Sequence, residues 1–132
     1  MSRRMARESA MKLLFQMDLQ GDYSPSILER YIEDLPENQE EIMFIRDIGT
    51  KFIEYKEMVD EKIAAYTKEW RFDRIAKVDL AILRLAVVEI MFREDIPDSV
   101  SINEGVELAK QYSTEESGSF INGILGSIVV KQ

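Results

Sequence analysis

One stretch of the sequence, Ile75 to Phe92, constrains the fold more than any other part of the chain. Fourteen of its eighteen residues are apolar, and the four charged ones fall at scattered angles of a helical projection: Lys77, Asp79, Arg84 and Glu89. A helix that is apolar on nearly all sides has to be buried. A membrane span of this length would have to carry all four charges, which is costly. We therefore predict a central core helix over 75–92, with Asp73 as its cap and Pro97 beyond its end.

Composition limits the chemistry that the chain can perform. A chain of 132 residues can bury a real core, so we expect one domain over residues 1–132. Cysteine and histidine are both absent, which excludes disulfides, thiol nucleophiles, thiolate zinc sites and histidine catalysis. We accordingly expect no metal and no cofactor. The lack of cysteine suits a reducing cytoplasm, and Arg7, Glu8 and Lys12 interrupt any apolar run that could act as a secretory signal.

The charges are distributed unevenly along the chain. The net charge is −8, which by itself argues against nucleic acid, because affinity for a polyanion comes largely from lysine and arginine. Residues 1–12, however, contain Arg3, Arg4, Arg7 and Lys12 against a single acidic residue. This segment therefore carries +3 and the other 120 residues carry −11. The pattern predicts a basic N-terminal arm on an acidic body.

The first segment, from Arg3 to about Gln20, is predicted to be a helix that ends at Gly21. Its apolar residues follow the three- and four-residue spacing of one stripe: Ala6, Ala10, Leu13, Leu14 and Met17. Arg4 and Phe15 lie close together on the helical projection and away from this stripe. We therefore predict an exposed aromatic on the arginine side of the helix, with a partly covered phenylalanine as the alternative.

Two further helices are predicted before the central one. A short helix starts at Ser24-Pro25, runs to about Asp34 and is ended by Leu35-Pro36. From 37 to about 68 the apolar residues keep helical spacing, in one helix or in two, because the register weakens around Tyr55. The acidic residues in the first turns of this segment are interpreted as a solvated face: Glu37, Glu40 and Glu41.

Two helices are predicted after the central one. Ser101-Ile-Asn-Glu104 fits a capping box and predicts a helix to about Tyr112. The segment Phe120-Ile-Asn-Gly-Ile-Leu125 taken locally favours a hairpin, because Asn-Gly lies between two apolar pairs. Its flanks are too short for stable strands and its apolar residues keep helical spacing, so we predict a helix from about Thr114 to Val130. The glycines of this helix are interpreted as sites of close helix packing: Gly118, Gly123 and Gly126.

No segment shows a convincing strand pattern, so the predicted fold class is all-α, with about six or seven helices packed around Ile75 to Phe92. Five motifs occur in order along the chain: Arg-Arg-Met-Ala-Arg-Glu-Ser-Ala at 3–10, Trp70 with Asp79-Leu-Ala-Ile-Leu-Arg84, Ile96-Pro97, Ile102-Asn-Glu-Gly-Val-Glu-Leu-Ala-Lys110, and Phe120-Ile-Asn-Gly-Ile-Leu125. Together these motifs closely resemble the NusB family of bacterial transcription antitermination factors, over essentially the whole chain.

The resemblance implies an all-helical protein of two small bundles that is not an enzyme. It implies binding to a short single-stranded boxA element in the leaders of ribosomal RNA, together with the ribosomal small-subunit protein that is also NusE. It further implies that the complex joins the elongating RNA polymerase with other Nus factors, suppresses termination and assists maturation of ribosomal RNA. The resemblance implies no membrane partner.

The resemblance also implies which residues contact RNA. An arginine-rich N-terminus can bind phosphates with paired hydrogen bonds, and aromatic side chains can stack on unstacked bases. Carboxylates can accept hydrogen bonds from base amino groups. The matching residues are the arginines Arg3, Arg4 and Arg7, the aromatics Phe15 and Phe120, and the carboxylates Asp79 and Glu116. For Phe120 and Asp79, core packing or an internal salt bridge is the alternative.

Other functions are compatible with parts of the sequence. A similar helical domain is attached to some ribosomal RNA methyltransferases, but such an enzyme also needs a glycine-rich cofactor domain, which these 132 residues do not contain. A purely protein-binding helical adaptor, with its N-terminal arginines as ordinary solvated charges, is the second alternative. A carboxylate-based hydrolase has no supporting arrangement of residues. The oligomeric state stays open, because a hydrophobic helix face can pair with a second copy.

Overall fold

The computed structural model describes residues 3–67 and 69–130, and the side chains of Glu69 and Trp70 lie outside the described part. Within these residues the chain forms seven helices and no strand, so the predicted all-α class is confirmed. The helices are α1 (Arg3–Gln20), α2 (Pro25–Glu33), α3 (Gln39–Ala65), α4 (Glu69–Phe72), α5 (Lys77–Phe92), α6 (Asp98–Tyr112) and α7 (Glu115–Val130).

Helix α5 is the centre of the fold. Every residue from Asp79 to Ile90 is buried, and the helix packs against α1, α3, α6 and α7. The helices α1 to α3 on one side and the pair of α6 and α7 on the other form two small bundles that share α5. The burial predicted for this stretch is therefore confirmed. Among the residues that the structure describes, no helix is long and apolar enough to cross a bilayer.

The start of α5 differs from the prediction. The helix begins at Lys77, and its N-cap is Ala76, whose side chain makes no capping hydrogen bond. The prediction that Asp73 caps this helix is wrong, because the chain makes one more turn after α4. In that turn the backbone N–H groups of Arg74 and Ile75 bond carbonyls three residues earlier.

The charged residues of α5 hold neighbouring helices in place. Arg84 donates through Nε and Nη2 to Asp60 of α3 at 2.9 and 2.8 Å, and its Nη1 lies 3.4 Å from Asp18 of α1. Lys77 donates to the same Asp18 at 2.8 Å. An ion buried without a partner would cost several kcal/mol, so these pairs fix the position of α1 and α3 on α5.

The N-terminal helices follow the predicted pattern with one exception. Helix α1 ends at Gly21, which adopts φ 64°, a conformation that glycine reaches without a Cβ clash. Helix α3 is continuous but kinked at Tyr55, where φ is −115° and ψ is 23°, which explains the weakened register. Glu41 is buried and accepts a hydrogen bond from Ser9 at 3.1 Å. The predicted solvated face is therefore wrong for Glu41, whereas Glu40 is exposed.

The capping box predicted at Ser101 is wrong. Helix α6 begins three residues earlier, at Asp98 after the N-cap Pro97, so Ser101 and Glu104 lie inside the helix. Their side chains reach other helices: Ser101 donates to Glu89 of α5 at 2.8 Å, and Glu104 accepts from α1. A serine and a glutamate three residues apart here mark a helix face that contacts other helices.

Helix α7 forms as predicted, but its glycines are not all packing sites. The segment that locally resembles a hairpin is helical throughout 115–130. A Cβ added to Gly118 would lie 3.6 Å from atoms of Lys110 and Val106 of α6, so this glycine lies at a helix contact. A Cβ added to Gly123 or Gly126 would meet nothing within 4 Å. The close-packing prediction is therefore wrong for these two positions.

We expect Gly123→Ala and Gly126→Ala to stabilise the protein by roughly 0.5–1 kcal/mol each, because alanine restricts the unfolded chain and fits a helix interior. The free energy of unfolding in urea measures the effect. Gly21→Ala is the control. Its positive φ makes a Cβ unfavourable, so this change should destabilise by about 1–2 kcal/mol. Loss of stability in the two α7 variants would show that these positions need glycine.

Candidate nucleic-acid interface

Arg4 lies at the rim of a groove between α1 and α6. Its side chain is 60% exposed, and its Nε and Nη2 donate to the two carboxylate oxygens of Glu104 at 3.1 and 2.7 Å. The hydrogen bonds from Arg4 hold the pKa of Glu104 below its ordinary value. The groove has a volume of about 250 Å³ and is lined by Arg4, Arg7, Glu104, Glu107, Leu108, Lys110 and Gln111. We call it the α1–α6 groove.

Arg7 is buried beneath this groove. The residue is 4% exposed, and its Nε and Nη2 donate to Glu89 of α5 at 2.8 and 3.0 Å. Its Nη1 lies 3.6 Å from Glu104. In this structure the guanidinium is inaccessible to a phosphate, because it is engaged by carboxylates on two helices. The expectation that Arg7 binds RNA phosphate directly is therefore replaced by a supporting role.

Arg3 extends toward α3, whereas Arg4 extends toward α6. Arg3 is exposed, and its guanidinium carbon is 4.8 Å from the centre of the Phe44 ring of α3. Arg93 approaches the same ring at 5.2 Å. The structure therefore separates the three predicted arginines into one at the groove, one in the core and one over Phe44. Only Arg4 shares a face with Phe15, as the helical projection predicts.

An apolar slot follows the groove toward the C-terminal end of α1. It has a volume of about 180 Å³ and is lined by Met11, Lys12, Phe15, Val78 and Tyr112. Phe15 is half-buried and packs against the core, so the alternative of a partly covered phenylalanine is the correct one. Lys12 Nζ lies 5.5 Å from the centre of the Tyr112 ring, a cation–π geometry. We call this the aromatic slot.

A pocket containing Asp79 and Phe120 lies beyond the slot. It has a volume of about 420 Å³ and is lined by Arg71, Arg74, Ile75, Ala76, Asp79 and Phe120. Asp79 is 7% exposed. Its Oδ2 accepts from Ser117 of α7 at 2.9 Å, whereas the buried Oδ1 has no hydrogen-bond partner among the described residues. A buried acceptor without a donor is costly. We call this cavity the Asp79 pocket.

These three features follow one another across the molecule. The groove and the slot both lie between α1 and α6. Helix α6 contributes Gln111 to the groove and the next residue, Tyr112, to the slot, and α1 lines both. The slot and the pocket meet at α5, since Val78 lines one and Asp79 the other. Glu116 is exposed in the first turn of α7, beside Ser117. The structure thus brings four of the predicted site residues to one surface: Arg4, Phe15, Asp79 and Phe120.

The sequence did not identify several residues that line this surface. Tyr112 lies at the end of a predicted helix and carries no motif that marks it. Arg71 and Arg74 could have been found, because 69–77 holds three cations within an otherwise acidic body. In the described part of the chain, no cluster of three or more acidic side chains could hold a metal ion.

A family model described as the NusB family matches residues 4–130. The chain belongs to the NusB family. The transcription antitermination protein NusB of Finegoldia magna is 48% identical over 132 residues, which cover all of this chain and 96% of the relative. The protein of the same name from Acetivibrio thermocellus is 48% identical over 129 residues, which cover 98% of this chain and 89% of the relative. Similarity to NusB proteins therefore extends over the whole chain.

Solved structures of NusB proteins share this fold. T. maritima NusB matches with a TM-score of 0.91 at 34% identity, and the match covers 100% of this chain and 93% of that chain. A crystal structure of antitermination factors NusB and NusE in complex with dsRNA matches with a TM-score of 0.87 at 25% identity. That match covers 98% of this chain and 97% of the other.

We expect Arg7→Met to lower the free energy of unfolding by about 3–5 kcal/mol, because it leaves a buried carboxylate without its charge partner. Glu89 is 1% exposed, so water cannot replace the lost hydrogen bonds. Arg4→Met removes an arginine from an exposed pair and should cost less than about 1 kcal/mol. Urea denaturation of both variants measures the difference. Equal losses would contradict the distinction between a structural and a surface arginine.

Proposed function

We propose that this protein is a non-enzymatic transcription antitermination factor in which residues 1–132 act as a single cytoplasmic RNA-binding domain. Its ligand is single-stranded boxA-type RNA of ribosomal RNA leaders. Its partners are the ribosomal small-subunit protein NusE and the RNA polymerase elongation complex with other Nus factors. Membership of the NusB family supports this proposal, as do the relatives named transcription antitermination proteins. The matched complex of NusB and NusE with dsRNA supports binding of RNA and of NusE.

The observation that carries this proposal is the order of chemical groups on one surface. An exposed guanidinium at the α1–α6 groove is followed by the aromatic slot and then by the Asp79 pocket. A single strand offers phosphates, base faces and base edges to such a surface, because its bases are not paired. Each group on the surface matches one of these three parts of a nucleotide.

Each predicted residue has a defined role in this arrangement. Arg4 binds a phosphate at the groove, and Phe15 offers a ring face at the slot. Arg3, which lies over Phe44 outside this surface, binds a phosphate further along the strand. Phe120 stacks on a base at the Asp79 pocket, and the Asp79 carboxylate, which lines the same pocket, accepts from a base amino group. Glu116 accepts from a base edge at the start of α7, and Arg7 supports Arg4 from below.

Electrostatics explains why a protein partner is required. A surface with a few cations can neutralise only a few phosphates, and each such contact is weakened by salt. The rest of the chain is acidic and repels RNA. A basic ribosomal protein that docks on the acidic body would remove this repulsion and add its own contacts. Such a coupling has to be reciprocal, so RNA also strengthens binding of the partner.

We expect the affinity for a boxA-type RNA oligonucleotide to increase roughly 5–150-fold when NusE is present, the usual range of coupling between two sites. Fluorescence anisotropy of the labelled RNA, with and without NusE, measures the change. A single-stranded RNA of the same length and a scrambled sequence is the control. If NusE does not alter the affinity, the composite site is ruled out. If RNA adds nothing to NusE binding, the protein-only adaptor becomes the better account.

We expect Arg4→Glu to weaken RNA binding and to flatten its dependence on salt, because one phosphate contact is lost. The slope of log affinity against log salt should fall by about 0.7 for a single strand. Arg30→Glu is the matched control, because Arg30 is exposed on α2, which packs on α3 and α1. It makes the same charge change away from the groove. An unaltered slope in Arg4→Glu would remove Arg4 from the interface.

A further inference from the structure

Glu104 occupies one edge of the Arg4 guanidinium and leaves the other edge to the groove. Its two oxygens accept from Nε and Nη2. A guanidinium carries five N–H donors in a rigid planar fork, so the edge formed by Nη1 and Nη2 points away from this carboxylate. The Arg4 side chain is 60% exposed. A phosphate can therefore reach the outer edge while Glu104 keeps the inner one.

Glu104 is itself held by a chain of charged groups that leads into the core. Its side chain is 16% exposed, and its Oε1 lies 3.6 Å from Nη1 of the buried Arg7. Arg7 donates twice to Glu89 of α5, and Ser101, one turn before Glu104 on α6, donates to the same Glu89 at 2.8 Å. The carboxylate that holds Arg4 is thus fixed relative to α1, α5 and α6 together.

We propose that Glu104 is a positioning residue for RNA, which holds Arg4 in one orientation so that its outer edge meets a phosphate. The inference rests on the proposed RNA-binding function. A long arginine side chain without this anchor samples many rotamers, and binding then has to immobilise it at a cost in affinity. With the anchor, this ordering has already occurred during folding.

Positioning by Glu104 and simple electrostatics predict opposite changes in RNA affinity when the Glu104 carboxylate is removed. A carboxylate beside a phosphate site repels the RNA, so on charge alone its removal should raise affinity. If positioning dominates, removal should lower affinity. The sign of the change in affinity therefore separates an anchor for Arg4 from a competitor that occupies Arg4 until RNA displaces it.

The test compares two variants of the full chain by anisotropy, with a boxA-type single-stranded RNA oligonucleotide and with NusE present. We expect Glu104→Gln to lower RNA affinity about three- to tenfold, because binding then has to immobilise one more side chain, that of Arg4. Glu107→Gln is the matched control. It makes the same charge change on the same helix and lines the same groove, but no hydrogen bond joins Glu107 to Arg4 among the described contacts. We expect its affinity to rise slightly, because only repulsion is removed.

A second background distinguishes positioning from a general loss of structure. Arg4→Lys keeps the charge but lacks the planar fork, so Glu104 can no longer set the direction of two donors. In this background we expect Glu104→Gln not to lower affinity. A purely structural effect of Glu104 would lower affinity in both backgrounds and would overturn the proposal. The free energy of unfolding of each variant shows that the chains compared are folded.

The remaining outcomes are also distinct. Affinity that is unchanged or higher in Glu104→Gln, in a protein whose parent binds RNA normally, overturns the positioning role alone. Failure of the unaltered protein to bind the RNA with NusE present contradicts the proposed function itself. If Glu104→Gln lowers RNA affinity only when Arg4 is unchanged, the result supports both the positioning role and the proposed function.

Discussion

The buried ion pair between Arg7 and Glu89 determines how α1 and α6 approach the central helix. A carboxylate that is 1% exposed in the centre of α5 needs strong donors. Two come from Arg7 on α1 and one from Ser101 on α6, so both helices have to approach the same side of α5. This approach places Arg4, one turn before Arg7, beside Glu104, one turn after Ser101. The α1–α6 groove is thus a consequence of neutralising one buried charge.

A second buried arginine acts in the same way within the bundle of α1 to α3. Arg84 is bound by Asp60 of α3 and approached by Asp18 of α1, and it lies 5.1 Å from the centre of the Phe52 ring. Since the two partners of Arg84 lie on two different helices, these contacts fix how α1 and α3 cross α5. The charged residues of the central helix therefore have mainly structural roles, and Asp79 differs from Arg84 and Glu89 in that it lines the Asp79 pocket.

The division of the N-terminal cations explains how an acidic protein can present a surface suited to RNA. Arg7 is neutralised in the core, whereas Arg4 and Lys12 stay at the surface that leads from the groove to the slot. Further along, Arg71 and Arg74 accompany Phe120 and Asp79 at the pocket. Cations and rings alternate on this face, while the excess of acidic residues is carried by the rest of the molecule. Family membership and this local arrangement point to the same function.

Local sequence patterns were sufficient to predict the helical class, the burial of α5, the extent of α1 and the shared face of Arg4 and Phe15. These properties depend on local periodicity and on the apolar content of one segment, which neighbouring residues specify. Tertiary structure alone decided that Arg7 is a core residue, that Ser101 and Glu104 form interhelical contacts rather than a cap, and that Glu41 is buried. Each of these outcomes depends on a partner 12 to 100 residues away. Local patterns carry no information about such partners, because a charged side chain looks the same in sequence whether water or another helix satisfies it.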